Sequence, residues 1–343
     1  MKSINFGIDV VTISPVAIIE GNETQVGKTV TKIKKEARFN EEENRLEYIP
    51  FMPANGFRGV LRRYATKRVV DAVKENTGIK IFNDRDLHAM LSGSGTNDQP
   101  LTYQEEEEIR EKNPILSLFG TGLLLGGKLN ITNIMPDKNI SMTRENKDGK
   151  ISFDSFVRVA NYTKVDDILQ KSKFATLFTT EQIKEWENSV LENTTARSEQ
   201  RKKNKELKKM KQDLEKTVKK ESIQHYFGKE YIPSGIKFHS SIRLVEPTEL
   251  ELGALVAALI DFAHDGSIGS SRNIGFGVID FDVIDLENNK KIISKTSDEN
   301  YIFNSIINTN LELSSTIKEA HDKYMQWLKN VSKENIELIS NIA

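Results

Sequence analysis

The chain has 343 residues, of which 29% are charged, and its formal net charge at pH 7 is -1. This length can bury a sizeable core, and the near-neutral charge means that any nucleic-acid surface must be a local basic patch. The sequence contains no cysteine, which excludes disulfides, thiolate zinc sites and cysteine nucleophiles. The first residues lack the apolar core of a signal peptide, and no run reaches the roughly 20 apolar residues of a membrane span. We therefore expect a soluble, cytoplasmic protein.

The N-terminal segment predicts a strand followed by a basic loop. Ile4 to Ile13 alternates apolar and polar residues as a strand does, and Val16 to Glu20 continues it or forms a second short strand. The loop Gly21 to Thr29 has five residues between its first glycine and its Gly-Lys pair, one too many for a P-loop. The basic cluster of Lys28, Lys32, Lys34, Lys35 and Arg38 is either a solvated surface or a contact to nucleic acid, with Lys28 and Lys32 as the candidate contacts.

The stretch Leu46 to Tyr64 predicts a strand, a proline-rich turn and a helix. Pro50 and Pro53 end the strand, and an asparagine can cap a helix that begins at Gly56 and runs to about Asn76. Arginines in the first two helical turns oppose the helix dipole, so they indicate an anionic partner such as phosphate, with a plain charged surface as the alternative. The candidate RNA-binding residues here are Asn55, Arg58, Arg62 and Arg63.

The middle of the chain is expected to carry three insertions. Residues 79–113 form an irregular region, residues 135–160 a hairpin, and residues 161–230 a helical, basic arm. Arg144 and Lys147 in the hairpin are candidate RNA contacts, although a plain surface hairpin fits the pattern equally well. The arm is most basic over residues 197–221, where a solvated or partly disordered helix and a contact for RNA or a partner subunit both remain open.

The last third predicts a strand, a helix, a glycine-rich loop and another strand. Tyr231 to Val245 alternates as a strand, Glu249 to Asp265 is an apolar helix, and Val278 to Leu286 is the second strand. The stretch Gly266 to Phe281 contains four glycines, which allow the backbone to approach a ligand closely and to present N–H groups to an anion. A tight connection that needs small residues is the alternative. The candidate RNA-binding residues of this loop are Ser270, Ser271, Arg272 and Asn273.

The predicted fold belongs to the α+β class. With the insertions removed and Lys128 to Ile134 as the second strand, the order is strand, helix, strand, strand, helix, strand. This is the β-α-β-β-α-β plan of the ferredoxin-like, or RRM-like, fold, which has an antiparallel sheet. We expect one such domain over residues 1–285, with the three insertions, and a C-terminal helical extension over residues 286–343.

Several of these stretches, in this order and spacing, resemble the RAMP-type backbone subunits of CRISPR effector complexes. The matching stretches are Ile49-Pro50 with Asn55 to Arg62, Leu118-Phe119-Gly120 as a strand entry, Ile232-Pro233 with Gly235 and Phe238, and Gly266 to Ile279. The resemblance covers roughly Ile4 to Asp285 and leaves the insertions unmatched. The pattern is closest to the type IV backbone subunit, with type III and type I-D relatives next.

The resemblance implies a hand-shaped, non-catalytic subunit that oligomerises as a filament along a guide RNA (crRNA). The ferredoxin-like domain would be the palm, the hairpin a thumb, and the glycine loop and arginine helix would hold guide phosphates while the bases pair with target nucleic acid. Other effector subunits would complete the complex, and no membrane is involved. Relatives that cut target RNA carry an aspartate in the loop after the first strand; here Gly21 to Glu36 contains none, so we expect no RNase activity.

Two alternatives remain open at this point. Ile274 to Phe281 partly matches the RNP1 pattern of a single-strand RNA-binding RRM, but Ile274 and Val278 stand where a basic residue and a stacking aromatic are expected. A guide-processing RNase would need a general base, for which His264 is the best candidate, unless it is only a helix-end histidine. None of the five histidines has metal-ligand spacing, so we predict no metal and no cofactor.

Overall fold

The chain divides into two compact units in a computed structural model. The first comprises residues 1–21, 32–159 and 230–343, and the second residues 22–31 and 160–229. The residues described are 2–25, 28–41, 44–79, 82–93, 101–122, 125–136, 158–164, 181, 225–298 and 300–339.

The described residues form thirteen strands, which make an α+β protein with mainly antiparallel sheets, as the sequence predicts. The strands are β1 (Ile4–Thr12), β2 (Ile19–Gln25), β3 (Lys28–Ile33), β4 (Lys35–Asn40), β5 (Arg45–Pro50), β6 (Leu129–Ile131), β7 (Met135–Pro136), β8 (Arg158–Lys164), β9 (His225–Tyr231), β10 (Lys237–Leu244), β11 (Ile279–Asp285), β12 (Lys290–Ser297) and β13 (Ser305–Thr309).

Six α-helices lie within the described part of the chain. They are α1 (Ala54–Thr77), α2 (Asp84–Ser92), α3 (Tyr103–Lys112), α4 (Pro114–Phe119), α5 (Glu249–Asp265) and α6 (Ser315–Leu328). Among these segments, no helix has both the length and the apolar character needed to cross a membrane.

The first unit is built on a seven-stranded antiparallel sheet with strand order β13-β12-β11-β1-β10-β6, in which β7 also pairs with β10. β1 lies at its centre because Phe6, Ile8 and Val10 alternate with less buried residues and face the core. Its register is fixed on both sides, with Ile8 opposite Ser240 of β10 and Val283 of β11. The strands predicted over residues 4–13 and 278–286 are thus confirmed, and the predicted strand within the stretch 231–245 is β10, which follows the turn at Pro233 to Gly235.

Helices α1 and α5 cover one face of this sheet. Three aromatic rings join the layers: Phe57 of α1 packs edge-to-face on Phe262 of α5 at 4.9 Å, and Phe262 packs on Phe281 of β11 at 4.8 Å. Between the helices, the Arg68 guanidinium donates two hydrogen bonds to the Asp261 carboxylate at 2.5 and 2.7 Å. The helix predicted over residues 249–265 is therefore present and lies in the core.

The C-terminal residues differ from the predicted helical extension. β12 and β13 extend the main sheet, and only then does the chain form α6. α6 packs closely on α5 because Gly253 has no side chain: a Cβ there would collide with the backbone of Ala320 and with Tyr324. β12 is held in the sheet because the side chains of Ile292 and Ile293 are buried in the hydrophobic core.

The second unit, taken by itself, contains a four-stranded sheet with order β2-β3-β9-β8. Here β3 pairs with β9 in parallel, from Lys28 opposite Tyr226 to Thr31 opposite Lys229. A separate two-stranded antiparallel sheet, β4 with β5, belongs to the first unit. The predicted thumb hairpin around residues 138–156 and the basic arm over residues 197–221 lie outside the described residues.

Candidate nucleic-acid interface

Helix α1 begins two residues earlier than the sequence predicts, and Asn55 is not its cap. Pro53 occupies the N-cap position without a side-chain hydrogen bond. The Asn133 side chain instead accepts a hydrogen bond from the backbone N–H of Ala54 at 3.0 Å, which satisfies one of the unpaired donors of the first turn. Asn55 is exposed in the first turn, so its amide remains available to a ligand.

Two of the three arginines on α1 are held by the loop that follows α4. Arg62 is buried, with 7% of its surface exposed, and its Nη2 donates to the carbonyls of Phe119 and Gly120 at 2.5 Å each. Arg58 donates to the same Phe119 carbonyl at 2.7 Å. The Arg62 guanidinium also lies 5.4 Å from the centre of the Phe119 ring, within the range of a cation–π contact. These contacts fix Arg62 as a brace between α1 and the loop.

Burial and mutual repulsion destabilise the charges of these arginines. Desolvation and the neighbouring charge of Arg58 lower the pKa of Arg62 to about 10. Desolvation also lowers the pKa of Arg58, and its Nε is a buried donor without a hydrogen-bond partner among the described residues. Both side chains remain cations at neutral pH, so an anion that reached them would relieve an unfavourable positive field.

A cavity of about 750 Å³ opens beside this arginine cluster. Among the described residues, its lining contains three arginines and no aspartate, glutamate or histidine. Glycines form much of the opposite wall, where side chains would close the space: a Cβ on Gly127 would meet the Arg58 guanidinium at 2.5 Å. The lining residues are Asn55, Arg58, Gly59, Arg62, Arg63, Leu91, Ser92, Gly93, Phe119, Thr121, Gly122, Leu125, Gly126 and Gly127.

Arg63 differs from its two neighbours because its side chain is exposed at the cavity. Within the part of the chain that the structure describes, it forms no hydrogen bond or ion pair. Gly59, one turn earlier, leaves room for it, since a Cβ there would lie 3.5 Å from the Arg63 guanidinium. Arg63 is therefore the cation best able to move onto a bound anion.

The glycine-rich loop after α5 folds back on the segment that follows β1. Ser270 donates from both its backbone N–H and its hydroxyl to the Ala17 carbonyl, at 2.9 and 3.0 Å, and Gly277 N–H donates to the Pro15 carbonyl at 2.8 Å. Gly277 has φ 88°, and a Cβ there would collide with the Ile268 carbonyl. The loop is thus a fixed structure, as the tight-connection interpretation requires, and the Ser270 hydroxyl is used internally.

The exposed part of this loop carries Arg272 and Asn273. Arg272 donates to the Asp265 carboxylate at 2.8 Å, and 39% of its side chain remains exposed. Tyr64 of α1 hydrogen-bonds Asp265 and Arg272, and desolvation together with Asp265 raises the pKa of its phenol. This contact joins the loop to α1 one residue after Arg63, so the two predicted basic stretches belong to neighbouring surfaces.

Of the other predicted RNA contacts, one is engaged in an ion pair and the rest lie outside the described side chains. Lys32 forms an ion pair with Glu230 at 3.1 Å, which partly neutralises it. Lys28 lies in β3, and its side chain is outside the described set, as are Arg144 and Lys147. Sequence reasoning missed the glycines of residues 120–127 as a cavity wall, although their density was a visible signal.

The side chains that an RRM or a guide-processing RNase would use are not well placed for either function. Phe281, which matches the RNP1 aromatic, is 1% exposed and faces the helices, so it is not available to stack on a base. Phe276 packs edge-to-face against Tyr231. His264 is exposed in the last turn of α5 and does not line the arginine cavity.

A cavity lined by arginines and glycines provides the positive charge and the bidentate donors that a phosphate-containing ligand requires. The family model of the RAMP superfamily matches residues 9–280. The chain therefore belongs to the RAMP superfamily, as its arginine and glycine stretches predict. Among solved structures, it is similar to a chain of "Type IV-B CRISPR Complex", with a TM-score of 0.48 and 16% identity over 82% of this chain and 90% of that chain. A comparison with curated proteins finds no match.

Proposed function

We propose that the protein is a non-catalytic backbone subunit of a CRISPR effector complex, which binds guide RNA and oligomerises along it. The observation that carries this proposal is the charge of the cavity beside α1, whose described lining has three arginines and no acidic residue. In such a site a phosphodiester would find several charge-assisted donors and no repelling carboxylate. Because the chain belongs to the RAMP superfamily, we propose that this anion is RNA.

The ligand's backbone, rather than its bases, fits the side chains of this interface. Arg58 and Arg63 at the cavity and Arg272 on the glycine loop suit phosphate, and the described lining holds only Phe119 as an aromatic ring. A guide must keep its base edges available for pairing with target nucleic acid, so a protein that grips phosphates can hold any guide sequence. Arg62 would act by positioning this surface, since the carbonyls of the loop already engage it.

A ferredoxin-like palm is part of the proposal. It is supported by the order β11-β1-β10-β6 in the main sheet, because the predicted fourth, first, third and second strands lie side by side in this order. Helices α1 and α5 follow the first and third of these strands and pack together. We also propose that the complex is of type IV, that other effector subunits complete it, and that the protein is cytoplasmic. The proposal does not include target cleavage, because residues 21–36 contain no aspartate.

Substitution of Arg63 gives the sharpest test of this proposal. Arg63→Gln removes one exposed cation at the cavity, so the affinity for a single-stranded RNA should fall about three- to tenfold at moderate salt. The slope of log K against log salt should become shallower by about 0.7 for each phosphate that the variant no longer binds. Arg58→Gln/Arg63→Gln should lower the slope by roughly twice this amount.

Lys74→Gln is the matched control, because it removes an exposed cation from the last turn of the same helix, roughly 16 Å along the axis from Arg63. It should leave affinity and slope unchanged. Equal effects of the control and the Arg63 variant would assign binding to net charge and remove the cavity from the proposal. The RNA recovered from each reaction should remain intact, and shortening of it by the wild type but not by His264→Gln would instead favour the guide-processing RNase.

A further inference from the structure

One face of the β4–β5 hairpin is apolar and exposed, and we call it the hairpin face. Its residues are Ala37, Phe39, Leu46 and Tyr48, of which the last three are 54%, 60% and 52% exposed. Phe39 pairs directly with Leu46, and Ala37 with Tyr48, so all four side chains point the same way. On the opposite face of the hairpin Ile49 is buried. Among the described residues, the exposed side is therefore the one that points away from the core.

A second apolar surface surrounds β13, and we call it the edge patch. It consists of Tyr301, Phe303 and Ile306, which are 73%, 76% and 69% exposed. Single exposed apolar residues are common, but three large ones within six residues mark an interaction surface. Here they accompany an edge strand, which is the element most open to pairing with another chain.

β13 is the last strand of the main sheet among the described residues, so one side of its backbone faces away from β12. Asp298 N–H donates to the Asn304 carbonyl, and Asn310 N–H donates to the Ile292 carbonyl, so the even-numbered residues bond towards β12. In an antiparallel ladder the intervening residues direct their N–H and C=O groups the other way. The outward-directed residues are Ser305, Ile307 and Thr309.

The two surfaces lie towards opposite edges of the main sheet, although the hairpin is not itself one of its strands. β13 is the last strand on one side, whereas β5 contacts β7 at the other side, and a bridge joins Met52, just after β5, to Ile134. The sheet between β13 and β6 spans five strand spacings, or about 24 Å. A hetero-partner would need one such surface; two of them at opposite edges of one subunit are what a head-to-tail assembly of identical chains requires.

The charges at the ends of the two surfaces favour one orientation. The hairpin has Lys34 at its base and Glu41 at its tip, where the sequence continues with two more glutamates. The edge patch has Asp298 at its loop end, and Lys290 of the neighbouring strand β12 lies towards the other end, where Glu312 also lies. A hairpin laid along β13 with its base beside Asp298 would pair Lys34 with Asp298 and would place Glu41 on the side of Lys290.

We infer that the hairpin face of one copy docks on the edge patch of the next copy, so that β13 and the hairpin form a heterologous, non-closing contact. This inference rests on the proposed function, since it names the surfaces by which subunits would follow one another along a guide. Burial of Phe39 and Tyr48 against Tyr301 and Phe303 supplies the aromatic centre that such interfaces use.

The test uses the full chain with Phe39→Lys in the hairpin face and Phe303→Lys in the edge patch. Both positions are exposed, so folding should be unaffected. On a long single-stranded RNA, mass photometry should show that each variant reduces the population of multi-subunit assemblies about tenfold or more. Tyr103→Lys, a change at an equally exposed aromatic on α3, is the matched control and should assemble like the wild type.

Mixing the two variants tests the head-to-tail geometry. The Phe39→Lys chain keeps an intact edge patch and the Phe303→Lys chain keeps an intact hairpin face, so one good contact forms and the mixture should stop at dimers. Assemblies of wild-type length in either single variant, or a mixture that stays monomeric, would overturn the inference.

A short RNA that accommodates a single subunit separates this inference from the proposed function. Both variants should bind it with the wild-type affinity, because neither changes the arginine cavity. If the wild type itself fails to bind any RNA, the proposed function is wrong. Self-association of concentrated, RNA-free protein then still tests the contact: it should weaken in each variant, and equal association of wild type and variants would refute it.

Discussion

Replacement of Arg62 by alanine should destabilise the protein, although the sequence presents Arg62 as one of three equivalent cations. The substitution removes the hydrogen bonds to the Phe119 and Gly120 carbonyls. Arg58 still serves the Phe119 carbonyl, but the buried Gly120 carbonyl loses its side-chain donor. Arg63→Ala, by contrast, changes an exposed side chain with no such partner in the described residues.

The magnitude follows from opposing contributions. Two hydrogen bonds from a charged donor contribute about 3–6 kcal/mol together, and an unpaired buried carbonyl costs about 1–3 kcal/mol. The fall of the Arg62 pKa from 12.5 to about 10 corresponds to roughly 3 kcal/mol of disfavoured charge, which offsets much of this gain. We therefore expect a net loss of roughly 1–6 kcal/mol, which in a chain of this length lowers the Tm by about 1–2 °C for each kcal/mol.

Thermal unfolding with amide hydrogen exchange of residues 114–122 would measure the effect globally and locally. Arg62→Ala should speed exchange there. Arg62→Lys should fall between it and the wild type, because a lysine keeps the charge but lacks the planar guanidinium that lies over the Phe119 ring. Arg63→Ala should change stability by less than about 0.5 kcal/mol. An Arg62→Ala protein that melts like the wild type yet no longer binds RNA would refute the assignment of Arg62 as a brace.

Three further predictions concern the packing of the helices. Gly253→Ala should cost about 1–3 kcal/mol because the new methyl collides with α6, whereas Gly56→Ala, whose Cβ meets nothing within 4 Å, should be neutral or slightly stabilising in the same melts. Arg68→Ala should cost about 2–4 kcal/mol in urea unfolding because it leaves Asp261 half-buried without its partner, and Arg68→Ala/Asp261→Ala should recover part of that loss. Burial lowers the pKa of His321, so the unfolded state binds more protons than the folded state. The free energy of unfolding should therefore fall as the pH drops below about 6.5. His321→Gln should flatten this pH dependence, and an unchanged profile in the variant would contradict the role of His321.

The elements that sequence patterns predict best are those with a strong local period. β1 and β10 alternate buried and exposed residues along their length, and α5 starts at a capping box in which Thr248 and Glu251 satisfy each other's backbone N–H groups. These signals need no knowledge of distant residues. The sequence patterns therefore predict the ends of β1 and α5 to within one or two residues. They predict the ends of β10 less closely.

Long-range contacts account for what the sequence could not reveal. The cap of α1 comes from Asn133, 79 residues away, and the partners of Arg62 come from 57 and 58 residues away. The predicted strand entry Leu118-Phe119-Gly120 is instead the end of α4, a short helix that forms because Asn113 caps it and Pro114 occupies its first position. Arg62 and Arg63 therefore have different roles because, of the two, only Arg62 contacts the residues at the end of α4. The position of those residues cannot be predicted from hydrophobic periodicity.

The anchoring of the glycine-rich loop has a consequence for the kinetics of binding. Val278 N–H donates to the Ser14 hydroxyl, and this bond adds to those that Ser270 and Gly277 make to the same segment. A loop held at several points before any ligand arrives loses little conformational entropy on association. Under the proposed function, RNA should therefore bind at a rate governed by electrostatic attraction, without a slow closing step of this loop.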